Sequence, residues 1–202
     1  MAKDPVEEFA SPLLKKPEYL QTIGLVSVEV NSMESMLASL FASAIGVQPL
    51  VGRAIYYAPK AASARIDVLM AGAEQALATR PKVQDRVLSL AKRAKGVLEE
   101  RNAIVHDMWA LPPDTDAVHR YKKGDISERI PANLTELERI TATIRELTVA
   151  ALFLMARIIL DKGDTLPWPD TPAEQRKWLR ENPLQNPPSR LTPDTPAQSS
   201  TG

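Results

Sequence analysis

Apolar residues recur at intervals of three and four along much of the chain up to position 160, the spacing of a helix face buried on one side. The first stripe is Ile23, Val26, Val30, Met33, Leu37, Leu40, Phe41 and Ala44, and it predicts a helix over residues 18–45. Gly46 is placed to stop that helix, and Pro49 follows. Residues 46–59 read as a connection with a helical turn in its middle. A second helix follows Pro59, with Ala62, Ile66, Leu69, Met70, Ala73 and Leu77 on one side, and ends near Arg80. Pro81 opens a third, carrying Val83, Val87, Leu90, Ala94, Val97, Leu98, Ile104, Val105 and Met108. At about 1.5 Å per residue it would be roughly 40 Å long. Leu111-Pro112-Pro113-Asp114 ends it.

Residues 112–134 lose the helical period. Residues 117–121 and 126–130 flank Lys122-Lys123-Gly124-Asp125, a pattern that suits a hairpin with a glycine turn or an irregular loop. Thr135 with Glu138 has capping-box spacing, and a fourth helix is expected from there to Leu160. Its last dozen positions are apolar on more than one face, so it is expected to be central or to carry an interface beside its core face. The expected fold is therefore all-α: an antiparallel four-helix bundle over residues 18–160, with a loop or small hairpin inserted between the third and fourth helices. Residues 1–17 are expected to be a lead-in and residues 161–202 a Pro-rich tail. Eight prolines fall between positions 167 and 202. Trp168 and Trp178 are expected to anchor the first part of the tail, while the part beyond about residue 182 reads as outside the core.

Composition narrows the chemistry. There is no cysteine, which excludes disulfides and thiolate metal sites. The N-terminus has no apolar signal region and no uncharged apolar run spans a bilayer, so no membrane association and a cytoplasmic location are expected. Lys plus Arg and Asp plus Glu are equal at 25 each, which argues against a protein that coats nucleic acid. The charge is uneven, however. Between Arg80 and Arg101 seven basic residues face three acidic ones, a pattern that also suits a solvated helix face.

There are two histidines, and His106 lies near the end of that basic helix. Arg101 precedes it by five positions, about 140° around a helix, so the two flank an edge. Asn102 is four positions from His106 and shares its face. This set suits phosphodiester cleavage of RNA. The substrate brings its own nucleophile, the 2′-hydroxyl; histidine moves a proton near neutral pH, and arginine offers a planar fork to the charged phosphate oxygens. The same residues also suit a plain helix end, with Arg101 paired to Glu34, Glu99 or Asp67.

The segment Arg101-Asn102-Ala103-Ile104-Val105-His106 resembles the signature of the HEPN domain family, named for higher-eukaryote and prokaryote nucleotide-binding proteins. That signature is an arginine, a polar residue, several others and a histidine, late in a long helix before a variable insertion. The flank from Glu99 to Trp109 resembles small bacterial members, as does Ile55-Tyr56-Tyr57-Ala58-Pro59-Lys60. The resemblance implies a compact helical bundle and, for many members, metal-independent endoribonuclease activity without a cofactor, in toxin–antitoxin or phage-defence settings. It implies a homodimer whose two motifs share a groove, with Arg101 and His106 as the catalytic residues and Asn102 beside them. It also implies an RNA substrate and a possible cognate antitoxin or phage-system partner. Glu34 and Asp107 are candidates to orient the pair, and Lys60, Arg65, Arg120 and Lys122 to touch RNA backbone. His119 lies with the last two in the insertion, and Tyr56, Tyr57 and Tyr121 are the aromatic candidates for base stacking. The other expectation is a non-catalytic helical dimerisation or adaptor protein, as members that have lost activity are.

Overall fold

In a computed structural model, the described residues are 12–111, 117–122, 129–160 and 168–182. They form a largely helical fold with a small three-stranded sheet inserted among the helices. A 3-10 turn, Pro12–Lys15, leads into α1, Pro17–Ile45. Proline opens α1 because the first turn has no use for its missing N–H. Gly46 closes it with φ 72°, a left-handed conformation that suits glycine, and its N–H bonds to the Ala42 carbonyl. Thr22, Ser27, Ser32, Ser39 and Ser43 each donate to the carbonyl one turn back, which keeps their hydroxyls satisfied within the helix.

The connection expected at 46–59 contains a separate helix, α2, Pro49–Tyr57. It turns back on α1 so closely that a methyl at Gly52 would collide with the Cβ of Ala42. α3, Ala62–Ala76, and α4, Pro81–His106, follow. Lys95 Nζ lies 2.9 Å from Asp67 Oδ1, and Gln84 Nε2 donates to the Glu74 carbonyl at 2.7 Å, so α3 and α4 run antiparallel.

α4 ends at His106, short of the expected Met108. Asp107 is already extended (φ −69°, ψ 152°), and β1 covers Met108–Ala110. β2, His119–Tyr121, pairs antiparallel with β1 and with β3, Arg129–Pro131. The insertion is therefore a three-stranded sheet built partly from residues expected to be helical. The glycine turn expected at Lys122–Asp125 falls mostly outside the described residues.

α5, Leu134–Leu160, follows. Asn133 caps it, its Oδ1 accepting from the Thr135 N–H at 2.9 Å, in place of the box expected from Thr135 and Glu138. A Thr–Glu capping box does occur, at Thr171 and Glu174 of α6, Pro172–Glu181. α6 extends beyond the two turns expected at 174–180. It lies on α5, where Trp178 and Trp168 stand edge-on to Phe153 at 5.2 and 5.9 Å. The core is continuous from Val26 and Met33 of α1 through Ile66 and Leu90 to Ile144 and Phe153. Among the described residues no single helix is long and apolar enough to cross a membrane.

Candidate active site

The end of α4 is fixed from three directions. Ile104 is 1% exposed and anchors the last turn in the core. The Trp109 indole turns back and donates to the Ile104 carbonyl at 2.8 Å, satisfying a group that a helix end leaves without an intrahelical partner. The Tyr19 ring lies 6.2 Å from that indole, and its hydroxyl donates to the Ala132 carbonyl at 3.2 Å. The start of α1, the end of α4 and the entry to α5 are thereby tied together. Sequence reasoning did not find Trp109 in this role. The available signal was an indole five residues after a buried helix position.

On this fixed end His106 is exposed as the last helical residue, and no described residue hydrogen-bonds its ring. Arg101 is half-buried and its Nη1 donates to Asn102 Oδ1 at 3.1 Å. Asn102, expected beside the pair, thus accepts from the arginine. Arg101 Nε is buried with no described partner. Of the anions offered to Arg101 by sequence, Glu34 and Asp67 are paired elsewhere.

Asp107 is one residue past His106 and its side chain is 8% exposed, 3.5 Å from Arg120 Nε on β2. The pair locks the sheet to the helix end. Arg120, expected on RNA backbone, faces this carboxylate. His119 is buried at 9% exposure with Nδ1 2.8 Å from the Ala117 carbonyl, so it too is turned into the insertion.

Glu34, a candidate to orient Arg101 or His106, is engaged by a cation of α3. It pairs with Arg65 at 2.9 Å, in a partly buried cluster. Arg65 Nε also donates to the Pro59 carbonyl at 3.1 Å and Nη2 to that of Lys60 at 2.9 Å. Each of its three guanidinium nitrogens thus makes a bond within the protein. Tyr57 lies under both Arg65 and Arg53, at 5.3 and 5.8 Å, while Tyr56 is wholly buried. Burial and the nearby Glu34 carboxylate push both phenols above their usual range. Tyr56 is thus unavailable for stacking on a base; Tyr57 keeps an exposed edge.

Lys60 and Lys122 remain exposed. The antiparallel register of α3 and α4 carries Arg101 to the level of the turn around Lys60 that begins α3. The arrangement thus offers an exposed imidazole and a guanidinium bonded to Asn102 on the last turns of α4. Among the described residues no three His, Asp or Glu side chains gather as metal ligands. No known protein family, curated protein or solved structure matches the chain.

Proposed function

We propose that this protein is a metal-independent endoribonuclease of HEPN type, an antiparallel four-helix bundle acting as a homodimer, with Arg101 and His106 at its active site. The observation that carries the reading is an exposed His106, bonded by no described residue, on the same helix end as an Arg101 that donates to Asn102. The resemblance of residues 101–106 to the HEPN signature supports it.

In this mechanism His106 of one copy takes the proton from a ribose 2′-hydroxyl. The oxygen attacks the adjacent phosphorus, and the bond from phosphorus to the 5′-oxygen breaks. The leaving oxygen receives a proton from His106 of the second copy. The products are a 2′,3′-cyclic phosphate and a 5′-hydroxyl. Arg101 donates to the phosphate oxygens as their charge grows, a role its planar fork suits. Asn102 limits the rotation of that fork. Lys60 and Lys122 supply the salt-dependent part of RNA binding.

The test is incubation of RNA with the purified protein in EDTA. The parent is expected to leave cyclic phosphate ends, and Arg101→Ala and His106→Ala to lose the activity while keeping the fold. Parent-level cleavage by both variants would sink the assignment.

One observation favours a second reading, a non-catalytic adaptor. The outer side of α2 exposes Leu50 at 81%, Val51 at 50% and Ile55 at 44%, an apolar face of the kind that partners cover. Absence of cleavage by the parent, together with stable binding of a protein partner that Leu50→Glu abolishes, would select that reading.

A further inference from the structure

The chain enters the fold beside the helix end that carries His106. Residues 1–11 join the described residues at the 3-10 turn Pro12–Lys15. Leu13 of that turn is 8% exposed, and its carbonyl accepts from the Lys16 N–H at 3.0 Å, so the entry point is fixed. The turn packs against β1, Met108–Ala110. The backbone from His106 to the end of β1 reaches at most about 14 Å. Arg101 lies back along α4 by about 7.5 Å on the helix axis. Residues 1–11, fully extended, span up to about 36 Å. They are long enough to cover both side chains from Pro12.

The charges on the two sides are opposite. Residues 1–11 hold the carboxylates of Asp4, Glu7 and Glu8 against one side-chain cation, Lys3. At the helix end the neighbouring carboxylates are engaged by other cations. Glu100 pairs with Arg139 at 3.0 Å and Asp107 with Arg120 at 3.5 Å. Glu99 is two positions before Arg101, a spacing that does not face it on a helix. No described residue forms an ion pair with Arg101 or His106. Arg101 Nε is enclosed, whereas Nη2 is neither enclosed nor bonded by a described residue. A guanidinium takes a carboxylate in the same geometry as a phosphate.

We propose that residues 1–11 are an internal competitor: the carboxylates of Asp4, Glu7 and Glu8 dock on Arg101 and His106, where an RNA phosphate would otherwise sit. RNA then has to displace the segment, and its apparent affinity is reduced by the fraction of protein in which the end is open. The contact itself stands on position and charge. Its effect on cleavage rests on the function proposed above.

The test is made on the full chain. It has no cysteine, so Ala2→Cys carries a single nitroxide label. The label is expected to broaden the NMR signals of the His106 ring and the Asn102 side-chain amide. Asp4→Asn, Glu7→Gln and Glu8→Gln together should remove most of that broadening. Arg101→Gln should do the same, as should salt at about 1 M, where the screening length is about 3 Å. In RNA cleavage the triple variant should lower KM by about tenfold and leave kcat unchanged, because only the free protein carries the contact. Glu74→Gln, Asp85→Asn and Glu181→Gln together make the same change in net charge elsewhere on the exposed surface. They should leave both the broadening and KM as in the parent. If the parent does not cut RNA, the broadening alone decides whether the segment docks, which keeps this result distinct from that of the RNA assay. Absence of broadening, broadening that survives both the triple substitution and salt, or a KM lowered equally by the control substitutions would overturn the proposal.

Discussion

The Arg157 guanidinium lies 4.4 Å from the centre of the Trp168 ring, on a side chain with no exposed surface. Trp178 stands on it as well, at 5.8 Å. A cation in the apolar run that ends α5 is costly unless its charge is answered, and two aromatic faces contribute to that. The arginine therefore belongs to the docking of α6. Trp178→Ala is expected to lower stability by about 3 kcal/mol, combining lost burial beside Phe153 with the lost cation contact. Truncation after Leu160 should cost more, because it uncovers Phe153 and Arg157 together. Urea unfolding of the three proteins checks the order; a truncated chain as stable as the parent would rule out this role for α6.

The start of α6 makes the same docking sensitive to acid. Glu174 Oε2 accepts from the Thr171 N–H at 3.0 Å, from the Thr171 hydroxyl at 3.0 Å and from the Asp170 N–H at 3.1 Å. These bonds hold its carboxyl below the usual range. The folded value is below the unfolded one, so the contribution is complete above the ordinary carboxylate range. It is lost as the pH falls through the depressed value. Indole fluorescence from Trp168 and Trp178 should change over that interval. Glu174→Gln, which can no longer ionise, should flatten the response, and an identical acid profile in both proteins would refute it.

Two glycines separate backbone crowding from side-chain crowding. A Cβ at Gly52 would meet both the Cβ and the backbone of Ala42, where neither helix can give way locally. One at Gly72 would stand 2.7 Å from Cε2 of the Phe41 ring, which can tilt. Gly52→Ala is therefore expected to destabilise by about 3 kcal/mol and Gly72→Ala by about 1 kcal/mol. Denaturation midpoints measured side by side check the ranking.

Periodicity made α1, α3, α4 and α5 legible because each buries one long stripe against the same core. It failed for α2, whose nine residues bury only Gly52 and Tyr56 and turn Leu50, Val51 and Ile55 outward. A helix with its apolar side exposed carries no inward pattern to read. The end of α4 was misplaced for another reason. Val105, Met108 and Trp109 continue a helical spacing, but pairing with β2 takes the chain over from Met108. That competition is between segments distant in sequence. The site divides in the same way. Arg101, Asn102 and His106 are neighbours along the chain, and their place on the last turns of one helix was legible. The Glu34–Arg65 and Asp107–Arg120 pairs form across elements, and no local spacing foretells them.

The division between Arg101 and Asn102 yields the sharpest functional prediction. Asn102 Oδ1 occupies one terminal nitrogen of Arg101, and no described residue bonds the other, which a phosphate oxygen would meet. Lysine at this position keeps the charge but presents a single rotating ammonium, which cannot bond Asn102 and phosphate with a fixed plane. If the arginine stabilises charge in the transition state, Arg101→Lys should lower kcat by about 100-fold with little change in KM, since ground-state attraction survives. Asn102→Ala should lower kcat less, by about tenfold, because the fork remains and only its orientation is loosened. Neither change should alter the unfolding free energy by more than about 0.5 kcal/mol at these partly exposed positions. Initial rates of cleavage of a short RNA, measured over a range of RNA concentrations, separate the two constants. A rise in KM with kcat intact would reduce Arg101 to a general phosphate contact and leave His106 without its proposed partner.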